Sequence, residues 1–228
     1  VATLRIRFQL ITFMFLRTIL NTAHRMVYPF LPVFARGLGV DLTSMSLLMT
    51  ARSLLGITSP LFAPMADRRG RKFGMLVGTV IFTFGVSLVA IHPSFWTLAI
   101  ALMLAMLGKY MFDPAMQAYF GDRIPYHQRG TALAVTEVAW SMSFIVGVPV
   151  VGFLIDRFGW PAPFPIFTIF GLVIFFVIWR IVPAEDSHNK LANNSRDGYR
   201  AVFTSVPAMA GISIAMWASA GNEMVNII

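Results

Sequence analysis

The chain has 228 residues, of which 57% are hydrophobic and only 12% are charged. Soluble domains carry about twice that fraction of charged residues, so the composition excludes an ordinary soluble domain and predicts a membrane protein. The net charge is +8, but the basic residues fall in short loops between apolar runs, which favours a role in membrane orientation over nucleic-acid binding. Because there is no cysteine, disulfides and thiolate metal sites are excluded.

Seven apolar segments of helical length follow one another along the chain. Their approximate bounds are 8–34, 42–65, 74–91, 95–119, 131–154, 162–182 and 203–228. Backbone groups in lipid must pair internally, and the segments are too long for barrel strands, so each is predicted to be a transmembrane helix.

The polar segment 183–202 separates the sixth and seventh spans and is predicted to be a cytoplasmic linker. We therefore expect a six-helix transmembrane bundle over 1–182. The segment 203–228 would begin a C-terminal bundle with an incomplete helix seven, in a chain that is a fragment of a longer protein.

Charge asymmetry predicts the orientation. With a cytoplasmic N-terminus, the outside loops carry two basic residues, Arg36 and Arg157. The inside segments carry twelve, namely Arg5, Arg7, Arg68, Arg69, Arg71, Lys72, Arg123, Arg129, Arg180, Lys190, Arg196 and Arg200. Cytoplasmic loops are enriched in Lys and Arg, so the protein is predicted to lie in the inner or plasma membrane with its N-terminus in the cytoplasm.

Polar side chains within the spans are candidates for lining a solute path, because such groups are costly in lipid and usually face a cavity or a partner. On the first span they are spaced by three, four or seven residues, which places them on one face. The predicted substrate-binding or cavity residues are Arg17, Asn21, His24, Arg25, Tyr28, Arg52 and Lys109. A role in structural ion pairs or, for His24, in a core hydrogen bond is the alternative.

Two carboxylates, Asp113 and Glu137, are the proton-coupling candidates, because a carboxylate in a poorly hydrated site can load and release a proton. Lys109 lies four residues before Asp113 and can pair with it. Four cations against two carboxylates give the polar face a net charge of +2. An anionic substrate, or acidic groups on the missing half such as Glu223 on helix seven, would compensate that charge.

Two predicted helix ends share a short internal sequence repeat. "PLFAPMADRRG" (60–70) and "PVVGFLIDRFG" (149–159) share a proline, six intervening residues and Asp-Arg-x-Gly. Their offset of 89 residues corresponds to three helices, so the copies would face opposite sides of the membrane. That arrangement describes an inverted repeat, which is typical of transporters.

"APMADRRGRK" (63–72) resembles the loop between helices 2 and 3 of the major facilitator superfamily. "DPAMQAYFGDRIPYHQRGTALAV" (113–135) and "GFLIDRFGW" (152–160) resemble its helix 4–5 and helix 5–6 passages. The resemblance implies an all-α membrane protein of two six-helix halves, each built from 3+3 inverted repeats. It also implies a cytoplasmic gate motif that latches the halves together, formed by Asp67, Arg68, Gly70, Arg71, Lys72 and Asp122, with Arg71 paired to Asp122.

These observations predict a secondary transporter that moves a small organic solute, with an organic anion or acidic amphiphile as the leading substrate class, by alternating access. Proton-coupled efflux of drugs or cations is one alternative, although "GVPVVG" (147–152) matches the family's antiporter signature only in part. A non-transporting six-helix receptor or scaffold is another. The sequence offers no catalytic motif, so we expect no enzyme, cofactor or metal. The expected partners are the solute, the bilayer and the missing C-terminal half, and not nucleic acid.

Overall fold

A computed structural model of the protein describes residues 2–58 and 69–183, with side chains from residue 7 onwards, and the single positions 204, 205, 209, 210, 213, 214 and 217. All regular structure in these ranges is helical. The helices are α1 (Ala2–Arg25), α2 (Val27–Leu38), α3 (Leu42–Leu54), α4 (Arg71–Ile91), α5 (Phe95–Arg123), α6 (Tyr126–Met142), α7 (Val148–Phe158) and α8 (Pro163–Ile181). A 3₁₀ turn (Leu55–Thr58) extends α3, and a π-helical turn (Ser143–Gly147) joins α6 to α7.

The chain divides into two compact units, Val1–Glu185 and Asp186–Ile228. The first unit contains α1 to α8. The predicted linker over 183–202 and the predicted helix seven over 203–228 fall almost entirely outside the described residues, so the predicted domain boundaries stay a prediction.

Among the residues that the structure describes, four helical stretches are long and apolar enough to cross a membrane: α4, α5, the continuous stretch Tyr126–Phe158, and α8. They correspond to the third to sixth predicted spans. The first predicted span is helical, but α1 is not apolar enough to count among these stretches because it carries many polar residues. Several of these polar side chains are buried in the protein, namely Gln9, Arg17, Asn21, Thr22 and His24. The second is described only as far as Thr58. The six-span arrangement therefore stays a prediction.

The glycines that end the two copies of the repeat share an unusual backbone conformation. Gly70 has φ +92° and Gly159 has φ +85°, which side chains other than glycine rarely tolerate. Gly70 directly precedes α4, and Gly159 directly follows α7. The rest of the first copy, residues 60–68, lies outside the described residues. The shared turn geometry is consistent with the repeat, which itself stays a prediction.

The packing of α4 on α5 positions the fourth predicted span. Gly78 and Gly108 face each other so closely that a Cβ atom on either would lie 2.5–2.6 Å from the carbonyl oxygen of the other. Small residues allow this approach of two backbones, which is common between membrane helices. On the same helix α5, Phe112, Tyr119 and Phe120 pack on Phe13 of α1. α5 is thereby held between α4 and α1, with Lys109 and Asp113 directed into the bundle.

Candidate substrate cavity

Arg17 is the centre of an ion-pair network that joins three helices. Its side chain is buried, yet its Nη1 lies 2.6 Å from Glu137 Oε1 and donates to the Thr136 carbonyl oxygen at 3.0 Å. Its Nε lies 3.3 Å from Asp113 Oδ1. A guanidinium presents several donors in a rigid plane, so one side chain of α1 contacts α5 and α6 together.

Lys109 closes the network on the other side of Asp113. Its Nζ lies 2.5 Å from Asp113 Oδ2, so the predicted four-residue pair is present, and it donates to Asn21 Oδ1 at 2.6 Å. The two cations and the two carboxylates make this part of the polar face neutral in itself. For Lys109 this is the predicted pair, and for Arg17 the described unit supplies the compensation that we expected from a substrate or from the missing half.

The two proton-coupling candidates differ in burial. The Asp113 side chain is 18% exposed and contacts both cations. The Glu137 side chain is 53% exposed in the described unit, and the proton-coupling role of both carboxylates stays a prediction. Glu137 nevertheless contacts the buried Arg17, and its protonation would remove one charge from that contact.

A second polar group lies on the next turns of the same face and is centred on His24 and Arg52. Arg52 is 3% exposed and His24 is 9% exposed. The Nη2 atom of Arg52 contacts His24 Nδ1 and also donates to the His24 carbonyl oxygen at 3.2 Å. The guanidinium carbon lies 5.7 Å from the centre of the Tyr28 ring, within the range of a cation–π contact.

Arg25 extends this group towards α6. Its guanidinium carbon lies 4.2 Å from the Trp140 ring centre and 5.1 Å from the Phe144 ring centre, and its Nη1 donates to the Trp140 carbonyl oxygen at 3.2 Å. Lys109 Nζ lies 5.7 Å from the same Trp140 ring, which links the two polar groups. All seven predicted cavity residues are therefore brought together, whereas their role in binding stays a prediction.

Trp140 and Phe144 are site residues that the sequence analysis missed. They follow Glu137 by three and seven residues, which is the spacing of one helix face. That spacing was a usable signal, but aromatic residues are so frequent in the apolar spans that these two did not stand out. They give the polar face an aromatic wall beside Arg25.

The described residues of the predicted gate motif lie around the start of α4 and in the last turn of α5. Arg71 Nε lies 3.4 Å from Asp122 Oδ2, so the predicted pair is present. Lys72 Nζ instead donates to the carbonyl oxygen of Trp179, in the last turn of α8, at 2.7 Å. Gly70 makes the turn before α4, while Asp67 and Arg68 lie outside the described residues.

Within the described parts of the chain, no three His, Asp or Glu side chains come together as they would around a metal ion. The contacts described above make up a neutral ion-pair network and an adjoining arginine–aromatic group. This arrangement brings guanidinium donors, aromatic faces and carboxylates together on one polar face.

Curated relatives of this chain include several membrane transport proteins. It is 29% identical over 142 residues to the uncharacterised MFS-type transporter YwfA of Bacillus subtilis, covering 62% of this chain and 34% of that protein. It is 27% identical to the multidrug resistance protein MdtG of Serratia proteamaculans, covering 72% of this chain and 43% of that protein. It is 26% identical to the quinolone resistance protein NorA of Staphylococcus aureus, covering 58% and 34%. The matched segments thus cover 34–43% of the length of these relatives.

A similar fold occurs in the crystal structure of the POT family transporter PepTSo, with a TM-score of 0.63 at 16% sequence identity. The match covers 91% of this chain and 47% of that chain. The family model described as Major Facilitator Superfamily matches residues 13–227, which is nearly the whole sequence. This confirms the family that the loop motifs indicated: the chain belongs to the major facilitator superfamily of membrane transporters.

Proposed function

We propose that the full-length protein is a secondary active transporter that moves a small organic anion or acidic amphiphile across the membrane by alternating access. Family membership supports transport, and it argues against an enzyme. The substrate class is argued from the polar face. In the described residues, that face brings together four cations and two carboxylates, in contact with aromatic rings.

The arginine–aromatic group carries this proposal. Arg25 stacks on Trp140 and lies near Phe144, and Arg52 lies near Tyr28. A guanidinium binds a carboxylate or sulfonate through two parallel hydrogen bonds, while the adjacent rings offer flat apolar surface to the rest of the solute. A flat organic anion matches both features. The carboxylates Asp113 and Glu137 point instead at Arg17 and Lys109.

The test uses the full-length protein in liposomes and measures uptake of labelled aromatic carboxylates and sulfonates. We expect Arg25→Gln to lower uptake at subsaturating substrate by at least about tenfold, because one charged hydrogen-bonding partner of the anion is lost. Arg157→Gln is the matched control, since Arg157 stacks on Phe153 at 5.7 Å outside the site and should leave uptake unchanged. Anion uptake that survives Arg25→Gln at the wild-type rate would contradict the role of that residue.

Proton-coupled efflux of drugs or cations is the second candidate, and two observations favour it. The carboxylate of Glu137 is half exposed and contacts Arg17, so a proton there would weaken an interhelical ion pair. In addition, relatives in Lactococcus lactis and Staphylococcus aureus are named as a multidrug efflux pump and a quinolone resistance protein. If an imposed pH gradient drives export of a cationic dye and Glu137→Gln abolishes it, this candidate replaces the first.

The proposal includes the architecture. The described helices would form six spans in 3+3 inverted repeats, with the N-terminus in the cytoplasm and the second bundle beginning within 203–228. The contact of Arg71 with Asp122 supports a gate at the cytoplasmic end. Because residues 1–228 contain no cysteine, a single cysteine introduced among them reports topology once any cysteine elsewhere in the full-length protein has been replaced. A cysteine at Ser187 should react with an impermeant reagent only from the cytoplasm, and one at His92 only from outside; the reverse pattern would refute the orientation.

A further inference from the structure

We propose that the start of α1, the start of α4 and the end of α8 together form a binding site for one anionic phospholipid. Arg180 and Lys72 bind the head group, and the exposed face of α8 lies along an acyl chain. The site uses none of the residues of the polar face, so the inference goes beyond the proposed function and does not depend on which solute is transported. Its ligand comes from the bilayer that surrounds the protein.

The last turn of α8 brings the three helix ends together. Lys72, the second residue of α4, donates from Nζ to the carbonyl oxygen of Trp179 at 2.7 Å. Gln9 of α1 donates from Nε2 to the carbonyl oxygen of Ile181 at 3.3 Å. The last four carbonyl groups of a helix have no partner within that helix, and these two contacts satisfy two of them. They also hold the first turns of α1 and α4 beside the end of α8.

This end of the bundle carries four cations that form no ion pair with any carboxylate in the described part of the chain. They are Arg7, Arg69, Lys72 and Arg180. Lys72 is half-buried and the three arginines are exposed. Arg71, also at the start of α4, is paired with Asp122 and adds no net charge. Each basic residue near a membrane surface raises the affinity for anionic lipid by roughly fivefold, so this end favours an anionic head group over a zwitterionic one.

The exposed face of α8 supplies the apolar part of the site. Ile169, Val173 and Phe176 are exposed and precede Arg180 at intervals of three and four residues, so all four lie on one face of the helix. Ile169 lies eleven residues before Arg180, which is roughly 16 Å at about 1.5 Å per residue. One leaflet of the hydrocarbon core is roughly 15 Å thick. An acyl chain along this face therefore keeps its head group at Arg180.

Trp179 lies at the depth that such a head group requires. Its side chain is 58% exposed, and its carbonyl oxygen accepts from Lys72. Tryptophan is enriched where the hydrocarbon core meets the head groups. Charge that only orients the chain could lie anywhere in a loop. Here Lys72 and Arg180 lie on packed helix ends, beside an apolar face as long as one leaflet, and that combination matches a single lipid molecule.

The experiment measures quenching of Trp179 in purified full-length protein reconstituted into phosphatidylcholine vesicles. A rising fraction of the lipid is phosphatidylglycerol or, in parallel, phosphatidylcholine, each brominated on its acyl chains close to the head group. Bromine quenches tryptophan on contact, and subtracting the signal of Trp179→Phe isolates this residue. We expect phosphatidylglycerol to reach half-maximal quenching at a mole fraction at least about fivefold lower than phosphatidylcholine does. Arg180→Gln should reduce this preference about fivefold.

Matched variants separate the outcomes. Arg180→Lys keeps the charge and should keep the preference, as should Arg157→Gln, which lies close to the start of α8 and so at its opposite end. Equal quenching by the two lipids in wild-type protein, or a preference that survives Arg180→Gln, would overturn the site. If sodium phosphate displaces phosphatidylglycerol more than sodium chloride does at the same ionic strength, the ligand is a free anion and the lipid assignment is wrong.

Discussion

Replacing Asp113 by asparagine should destabilise the protein by about 3 kcal/mol. Asp113 accepts from Lys109 at 2.5 Å and from Arg17 at 3.3 Å, and those side chains are only 13% and 6% exposed. At an effective dielectric constant of about 20, each contact represents roughly 5–7 kcal/mol of attraction before desolvation is subtracted. Breaking a buried pair costs about 3–5 kcal/mol net. The lower end applies because Asp113 is partly exposed and asparagine keeps one acceptor.

The assay is equilibrium unfolding of the full-length protein in mixed micelles, followed by helical circular dichroism. Asp122→Asn is the matched control, because Asp122 lies on the same helix and pairs with Arg71 at 3.4 Å in a more exposed position. An exposed pair contributes about 0–1 kcal/mol, so this control should lose no more than that.

A double variant tests whether an unbalanced buried charge causes the loss of stability in Asp113→Asn. Lys109→Met combined with Asp113→Asn removes one cation with one carboxylate and leaves Arg17 with Glu137. Its loss should be about 1–2 kcal/mol, smaller than that of Asp113→Asn alone, because no excess charge remains buried. A double variant that is less stable than Asp113→Asn, or an Asp122→Asn that loses as much stability as Asp113→Asn, would refute the charge-balance account.

Two further predictions concern packing and pH. Gly78→Ala should cost about 1–3 kcal/mol in the same unfolding assay, because its Cβ would lie 2.6 Å from the Gly108 carbonyl oxygen and the backbones must separate. Gly121→Ala on α5, where a Cβ meets none of the described atoms within 4 Å, should gain up to about 1 kcal/mol; equal effects would contradict this account. In the first turn of α3, the Ser44 hydroxyl donates to the carboxylate of Asp41, the residue before the helix, and lowers the pKa of Asp41. This contribution to stability is present above the unfolded-state pKa and is lost as pH falls through the folded-state pKa. Ser44→Ala should raise the Asp41 pKa towards its usual range in a carbon-NMR titration, and an unchanged pKa would contradict the assignment.

Those parts of the site that depend on contacts within one helix were predictable from the sequence. Lys109 and Asp113 are four residues apart, so helical geometry alone brings them together. The shared face of the first span followed in the same way from spacing. The family was also predictable, because its loop motifs are short continuous stretches of sequence.

The partners of Arg17 were not predictable from spacing. Asp113 lies 96 residues away and Glu137 lies 120 residues away, so only the packing of α1 between α5 and α6 brings them together. From the sequence, Lys109 was predicted to pair with Asp113 while Arg17 had no assigned acidic partner, and the fold neutralises both. The π-helical turn after Met142 likewise depends on packing, and apolar periodicity gave no sign of it.

The distance along the chain between Arg17 and its acidic partners has a consequence for how the protein is made. Glu137 leaves the ribosome 120 residues after Arg17, about 6–24 s later at ordinary rates of synthesis. Asp113 follows Arg17 by 96 residues, so the first helix is made before either of these acidic partners exists. The ion pairs of Arg17 can therefore form only after the fourth and fifth predicted spans have been made, so these contacts of the first helix are completed late in synthesis.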